Sequence, residues 1–279
     1  MNNSFQIAGV DVCLEGAGSH TVVMLHGWPD SPALWNSSVE ALRSGYRCVR
    51  FHLPGYDLEK PSQPMSVVDT TDLIRAIVDG VSPHEPVTLL LHDWGCLFGY
   101  EFAARHPHRV ARVIGVDIGD TGSDAYLKSL GKRQKLMIAG YQLWLVAAWR
   151  LGPWAPSLAN RMTRFMARSI GCHNDPERVG WEMNYPYAMQ WLGSFGGLRG
   201  VLPVERLLGA HMPALYLYGL RKPFMFHSPG WVEQLARAPG CAVHALETGH
   251  WVMGHKPVEF NAIVRSWIDQ ATCKASAAP

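Results

Sequence analysis

One segment constrains the fold more than any other: Val87-Thr88-Leu89-Leu90-Leu91-His92-Asp93-Trp94-Gly95-Cys96. Its first five residues, apolar but for Thr88, read as a short strand buried on both faces of a parallel sheet. That run meets a helix-forming stretch at 97–106 with little chain between them, so the turn must be tight. Small residues belong near the apex of such a turn, and Gly95 stands two residues after Asp93. A strand-to-helix elbow thrusts its apex residue out at the carboxyl end of the strand, where an attacking group can sit. Here the apex is Asp93, and Leu91, two residues earlier, is bulkier than the turn favours. An aspartate in this position can also be a plain helix N-cap, so its meaning depends on the rest of the chain.

Further strand-like runs fall at 21–26, 46–52, 112–116, 214–218 and 241–245. Helix-like stretches fall at 33–43, 66–79, 230–237 and 258–270. This alternation predicts an α/β fold, a mostly parallel sheet flanked on both faces by helices. Residues 1–15 can add an antiparallel hairpin at one edge. Residues 122–208 break the rhythm. Strand patterns vanish there, and Trp-, Met- and Arg-rich helical segments are punctuated by Gly152-Pro153, Ala155-Pro156, Asp175-Pro176 and Gly196-Gly197. The expectation is a helical cap inserted after the sixth strand, between core segments 1–121 and 209–273. Ligands of open α/β sheets bind beyond the carboxyl ends of the strands, so such a cap would roof the site and exclude water. The tail 274–279 is expected to be disordered.

Composition narrows the function classes. A net charge of +2 over 279 residues argues for neither nucleic acid nor acidic lipid as a partner. Residues 1–6 lack a basic start and an apolar run, so no signal peptide is expected. The six cysteines are scattered, without a CxxC pair or metal-ligand spacing. They read as reduced thiols of a cytoplasmic protein, with no metal and no cofactor expected. The most apolar stretch, 136–149, carries Gln142 and is too short to span a bilayer. It reads as a helix beside a substrate pocket. No basic stripe along it supports interfacial contact, so stable membrane insertion is not expected. Eleven tryptophans fit either a spacious apolar pocket or ordinary core packing.

Two other segments sit at strand ends. Leu25-His26-Gly27-Trp28-Pro29-Asp30 follows an early strand and could be an ordinary turn. Glu247-Thr248-Gly249-His250-Trp251 follows the last strand, and one His among thirteen is weak on its own. Their order along the chain is what links them: glycine-rich loop, elbow, then histidine. Together with Pro54-Gly55-Tyr56 and His92-Asp93-Trp94-Gly95, these stretches resemble the α/β-hydrolase superfamily. The closer likeness is to its Asp-nucleophile branch of epoxide hydrolases and haloalkane dehalogenases. The likeness covers roughly residues 5–120 and 210–270 and is vaguer in the cap.

The resemblance implies an α/β-hydrolase fold with Asp93 as nucleophile and His250 as the base that activates water. The backbone N–H groups of Trp28 and Trp94 would form the oxyanion hole. Cap tyrosines would protonate the leaving oxygen, with Tyr185 and Tyr187 of Met183-Asn184-Tyr185-Pro186-Tyr187 ahead of Tyr141. Trp28 tilts the likeness toward epoxide hydrolases, since dehalogenases usually carry another residue there. One departure stands out. Most family members place the triad acid three residues past a glycine, but Lys222 occupies that place after Gly219. Some dehalogenases carry the acid at the end of the strand before the cap. By that likeness Asp117 is preferred here, with Asp120 as the alternative. The expected activity is opening of a small apolar epoxide through an Asp93 ester, then hydrolysis by water to a diol. Haloalkane dehalogenation is the alternative. A non-catalytic binding protein is a second alternative, supported by the missing acid.

Overall fold

The protein is described by a computed structural model covering residues 2–172 and 175–276. Eight strands form one sheet: β1 (Asn2–Ile7), β2 (Val10–Glu15), β3 (His20–Leu25), β4 (Tyr46–Phe51), β5 (Val87–His92), β6 (Val110–Val116), β7 (Ala214–Gly219) and β8 (Ala242–Leu246). Their spatial order is β1-β2-β4-β3-β5-β6-β7-β8. The β1–β2 hairpin pairs antiparallel to β4, and the remaining pairs are parallel. Every residue of β5 is buried, as its apolar run requires of a central strand covered on both faces.

Helices α1 (Asn36–Leu42), α2 (Val67–Val81) and α3 (Trp94–Arg105) belong to the first half of the chain. Ser66 caps α2, its hydroxyl accepting the Asp69 N–H at 3.1 Å. Between β6 and β7 no strand occurs among the described residues. That segment carries α4 (Asp124–Ser129), α5 (Lys132–Leu151), α6 (Pro156–Ser169) and α7 (Tyr185–Leu192). It is the helical cap, with α6 and α7 both packed on α5. Helices α8 (Pro229–Arg237), α9 (Val252–His255) and α10 (Pro257–Ser276) complete the chain. Helix α10 runs through Lys274, Ala275 and Ser276, residues assigned above to a disordered tail. Alanine and lysine favour helix, and no proline intervenes before Pro279. Residues 277–279 of that tail lie outside the described residues.

The bulky Leu91 at the elbow is accommodated by a glycine one helical turn further on. A Cβ on Gly99 would lie 2.4 Å from Leu91 Cδ2, so α3 approaches β5 only because residue 99 has no side chain. Gly95 serves the turn itself, since a Cβ there would lie 2.4 Å from the His26 carbonyl oxygen. Gly99→Ala is therefore expected to lower stability by about 1–3 kcal/mol through overpacking. Calorimetry would check this, and an unchanged melting temperature would mean that Leu91 has room to yield.

Candidate active site

The parallel strands deliver the chemistry to one edge of the sheet. Register pairs Leu25 with Leu91 and Leu91 with Gly115, so the residues that follow β3, β5 and β6 emerge side by side. Asp93 has φ +52° and Asp117 has φ +69°, both in the left-handed region. Ala8 and Phe195 are the other non-glycine residues of this kind among the described residues. Holding a non-glycine residue there costs energy, and such strain concentrates where geometry serves a site.

The Asp93 carboxylate is held from two sides. Trp28 N–H donates to Oδ1 at 2.6 Å, and the adjacent Trp94 N–H adds a favourable interaction with the carboxylate charge. On the other side, Oδ2 lies 3.4 Å from His250 Nε2. Burial alone would raise the Asp93 pKa. The hydrogen bond and charge of His250, with the Trp94 N–H, outweigh that and hold it below the usual carboxylate value.

His250 Nδ1 lies 2.5 Å from Asp117 Oδ2. The opposite oxygen, Oδ1, accepts the Gly219 N–H at 3.0 Å and the Lys222 ammonium. Lys222 therefore does not occupy an acid's place idly: it is buried and paired with the carboxylate that contacts the histidine. Its Nζ also lies 5.5 Å from the Phe226 ring centre. Burial would raise the Asp117 pKa, but Lys222 and His250 together keep it low. For His250, burial disfavours the charged ring. Hydrogen bonds and charge from Asp117 and Asp93 win, and its pKa is raised to about 9.

Asp120 is committed elsewhere. It accepts Ser228 N–H and Ser228 Oγ–H at 2.6 Å each and Ser123 Oγ–H at 2.7 Å, tying the start of the cap to the α8 N-terminus. The geometry thus brings Asp117, and not Asp120, to His250.

Above Asp93 lies a cavity of about 1330 Å³ lined by Trp94, Tyr141, Tyr187, Trp191 and Phe226 among others. Tyr187 packs edge-on to Trp28 and Trp94, with ring centres 5.7 and 5.4 Å apart. The Trp94 side chain partly offsets the effect of burial on the Tyr187 hydroxyl. Tyr141 lies beside it at 6.1 Å, its oxygen accepting from Gln142 at 3.1 Å. Burial pushes both phenol pKa values up, so both keep their protons at neutral pH. Tyr185 is a correction to the expectation. It does not line the cavity but packs against Tyr56 and Phe195 at 6.1 and 6.2 Å. Two residues along a helix turn a side chain by about 200°, so one register cannot aim both Tyr185 and Tyr187 at Asp93.

Three supporting residues escaped the sequence reading. Asn184 accepts the Trp28 indole N–H at 2.8 Å and donates to Thr163 at 2.7 Å, anchoring the start of α7 over the elbow. Asp30 accepts the Trp251 indole N–H at 2.9 Å, clamping the histidine loop to the loop after β3. His92 lies with its ring centre 4.4 Å from that of His250 and donates from Nε2 to the His250 carbonyl at 3.2 Å. Burial, then the His250 charge, lowers the His92 pKa to about 3 and keeps it neutral. Each stands within or beside a motif noted above, which was the available signal.

Residues 20–256 match the family model described as the alpha/beta hydrolase fold, and the chain belongs to that family. Epoxide hydrolase 3 of Xenopus tropicalis is 24% identical over 273 residues, which cover 89% of this chain and 71% of that protein. The probable oxidoreductase EphD of Mycobacterium tuberculosis is 36% identical over 88 residues, covering 30% of this chain and 15% of that protein. The chain thus matches a small part of that relative's length. Among solved structures, an inhibitor complex of Bacillus megaterium epoxide hydrolase superposes with a TM-score of 0.70 at 22% identity. The match covers 96% of this chain and 100% of that one. At that identity the likeness carries the fold.

Proposed function

We propose that the chain is an epoxide hydrolase that works through a covalent ester of Asp93, with residues 122–208 capping a core of 1–121 and 209–273. The observation that carries this reading is the polarised Asp93 carboxylate: Oδ1 on the Trp28 N–H, Oδ2 facing His250, and two phenols across the cavity. Oδ2 attacks an epoxide carbon and the carbon–oxygen bond breaks. The leaving alkoxide takes a proton from Tyr187 or Tyr141. His250 Nε2 then removes a proton from a water that attacks the Asp93 carbonyl carbon. The former Oδ1 carries the negative charge between the Trp28 and Trp94 N–H groups. Collapse releases the diol, protonated by His250, and the proton remaining on the Asp93 carboxyl returns to the tyrosinate, which restores the phenol and leaves the water oxygen in the Asp93 carboxylate. No group beyond the chain and water is required.

Two features favour epoxide over haloalkane. The Trp28 indole N–H is committed to Asn184, so it is not open to a departing halide. Two protonated phenols instead suit an alkoxide, which needs a proton. The names of the Xenopus relative and the Bacillus neighbour support the same choice. Asp117, in contact with His250, also weakens the non-catalytic reading, whose main support was the lysine at 222.

A panel of aryl and aliphatic epoxides and haloalkanes, with diol and halide assayed separately, tests the reading. Diol is expected and halide is not, and faster halide release would favour the dehalogenase. Tyr187→Phe and Tyr141→Phe should each slow ester formation, by about 10²–10⁴-fold for the principal donor. Tyr185→Phe should leave the rate within a few-fold. Equal losses at 185 and 187 would mean that the phenols act through packing alone.

A further inference from the structure

The outer face of α5 and α6 takes no part in the reaction proposed above, yet its chemistry is unusual. Between Ala125 and Asn174 the sequence has eight Lys or Arg residues and no Asp or Glu, in a chain whose net charge is +2. The same stretch exposes large apolar side chains. Trp154 is 87% exposed, Leu136 75% and Phe165 59%. Apolar residues scattered singly on a surface need no explanation, but a contiguous group does.

Here they are contiguous. Leu136, Leu143 and Trp144 recur at helical spacing along one face of α5, and Leu158 and Phe165 along one face of α6. The two faces meet where the Trp144 ring lies 5.9 Å from Phe165 and its indole N–H donates to the Met162 carbonyl at 3.0 Å. Trp154 stands in the connection between the helices. Exposed cations frame the patch: Lys132 and Arg133 at one end of α5, Arg150 at the other, and Arg161 and Arg168 along the flank of α6. Arg164 is turned toward Glu177 at 3.4 Å and does not contribute. The segment 136–149 shows no basic stripe when read alone, because its cations lie at its ends and on the neighbouring helix.

We infer that this face of the α5–α6 hairpin docks on an anionic lipid surface. Aromatic and aliphatic side chains ringed by Lys and Arg complement acyl chains beneath negative headgroups. Charge excludes the obvious competitor: a second copy would set one cationic face against another. Nucleic acid would leave Leu136, Leu158 and Phe165 without a partner. Among the described residues no helix is long and apolar enough to cross a membrane, so the contact lies along the surface. The inference stands apart from the catalytic reading, since its readout is binding.

The test is co-sedimentation of the full chain with vesicles of phosphatidylcholine alone and of phosphatidylcholine mixed with phosphatidylglycerol. Binding is expected to the mixed vesicles and to fall steeply as salt is raised. The pair Trp154→Ala with Phe165→Ser, and separately Arg161→Glu with Arg168→Glu, should each weaken binding by roughly tenfold or more. Circular dichroism and turnover of a soluble substrate should be unchanged in both. No binding to mixed vesicles, equal binding to neutral ones, or variants that bind as tightly as the parent would overturn the inference. So would a dimer in sedimentation velocity that Phe165→Ser converts to monomer, since the face would then belong to a second copy.

Discussion

Asp93→Ala is expected to reduce epoxide turnover by about 10⁴-fold or more, with the fold retained. On the proposed mechanism no other group can form the ester, so the loss should appear in the first chemical step. Retention of the fold follows from the elbow's construction. The strand before it is buried throughout, and the helix after it packs through Gly99 against Leu91. The positive φ belongs to the Asp93 backbone, so alanine there should gain no relief of strain, and glycine should be more stable than the alanine. Heavy-oxygen water supplies the independent measurement. A single turnover of the parent enzyme should leave label in the Asp93 side chain, because water attacks the ester carbonyl. Label confined to the diol would mean direct attack of water on the epoxide, and Asp93 would then be a base.

The parts legible in the sequence are those set by a few consecutive residues. An apolar run ending in His-Asp-Trp-Gly dictates a buried strand and a tight turn, so β5 and the place of Asp93 at its end follow from local chain. The choice between Tyr185 and Tyr187 does not. It depends on how α7 is rotated over the elbow, and that rotation is held by Asn184 on the Trp28 indole, 156 residues away in the chain. The compensation of Leu91 by Gly99 was hidden for a related reason. A bulky residue in a motif looks like a defect until the facing helix shows where the space is. Lys222 illustrates the limit most clearly. Residue type alone made it a gap where the acid belongs. Its partner, 105 residues earlier, turns it into the group that holds the carboxylate in place.

Asp117→Asn should lower turnover by about 10³–10⁴-fold, with the alkyl-enzyme accumulating to a level visible by mass spectrometry. On the proposed mechanism the carboxylate fixes the His250 tautomer through Nδ1 and stabilises the charged ring, and an amide does neither reliably. The pH dependence gives a sharper reading. With Asp93 and Asp117 both ionised, the His250 pKa is raised to about 9. His250 can act as a base only when neutral. Esterification removes the Asp93 charge, one of the two that hold the proton, so the pKa must fall as the intermediate forms. The acidic limb of ester hydrolysis should therefore lie below pH 9. Asp117→Asn removes the second charge and leaves the Lys222 ammonium nearby, so the limb should move to still lower pH while the maximum rate drops. Lys222→Met removes the opposing cation, and there the limb should move to higher pH. A merely structural role for the pair would slow both variants without shifting their limbs in opposite directions. Full-rate hydrolysis by Asp117→Asn, with no accumulated ester, would remove Asp117 from the mechanism.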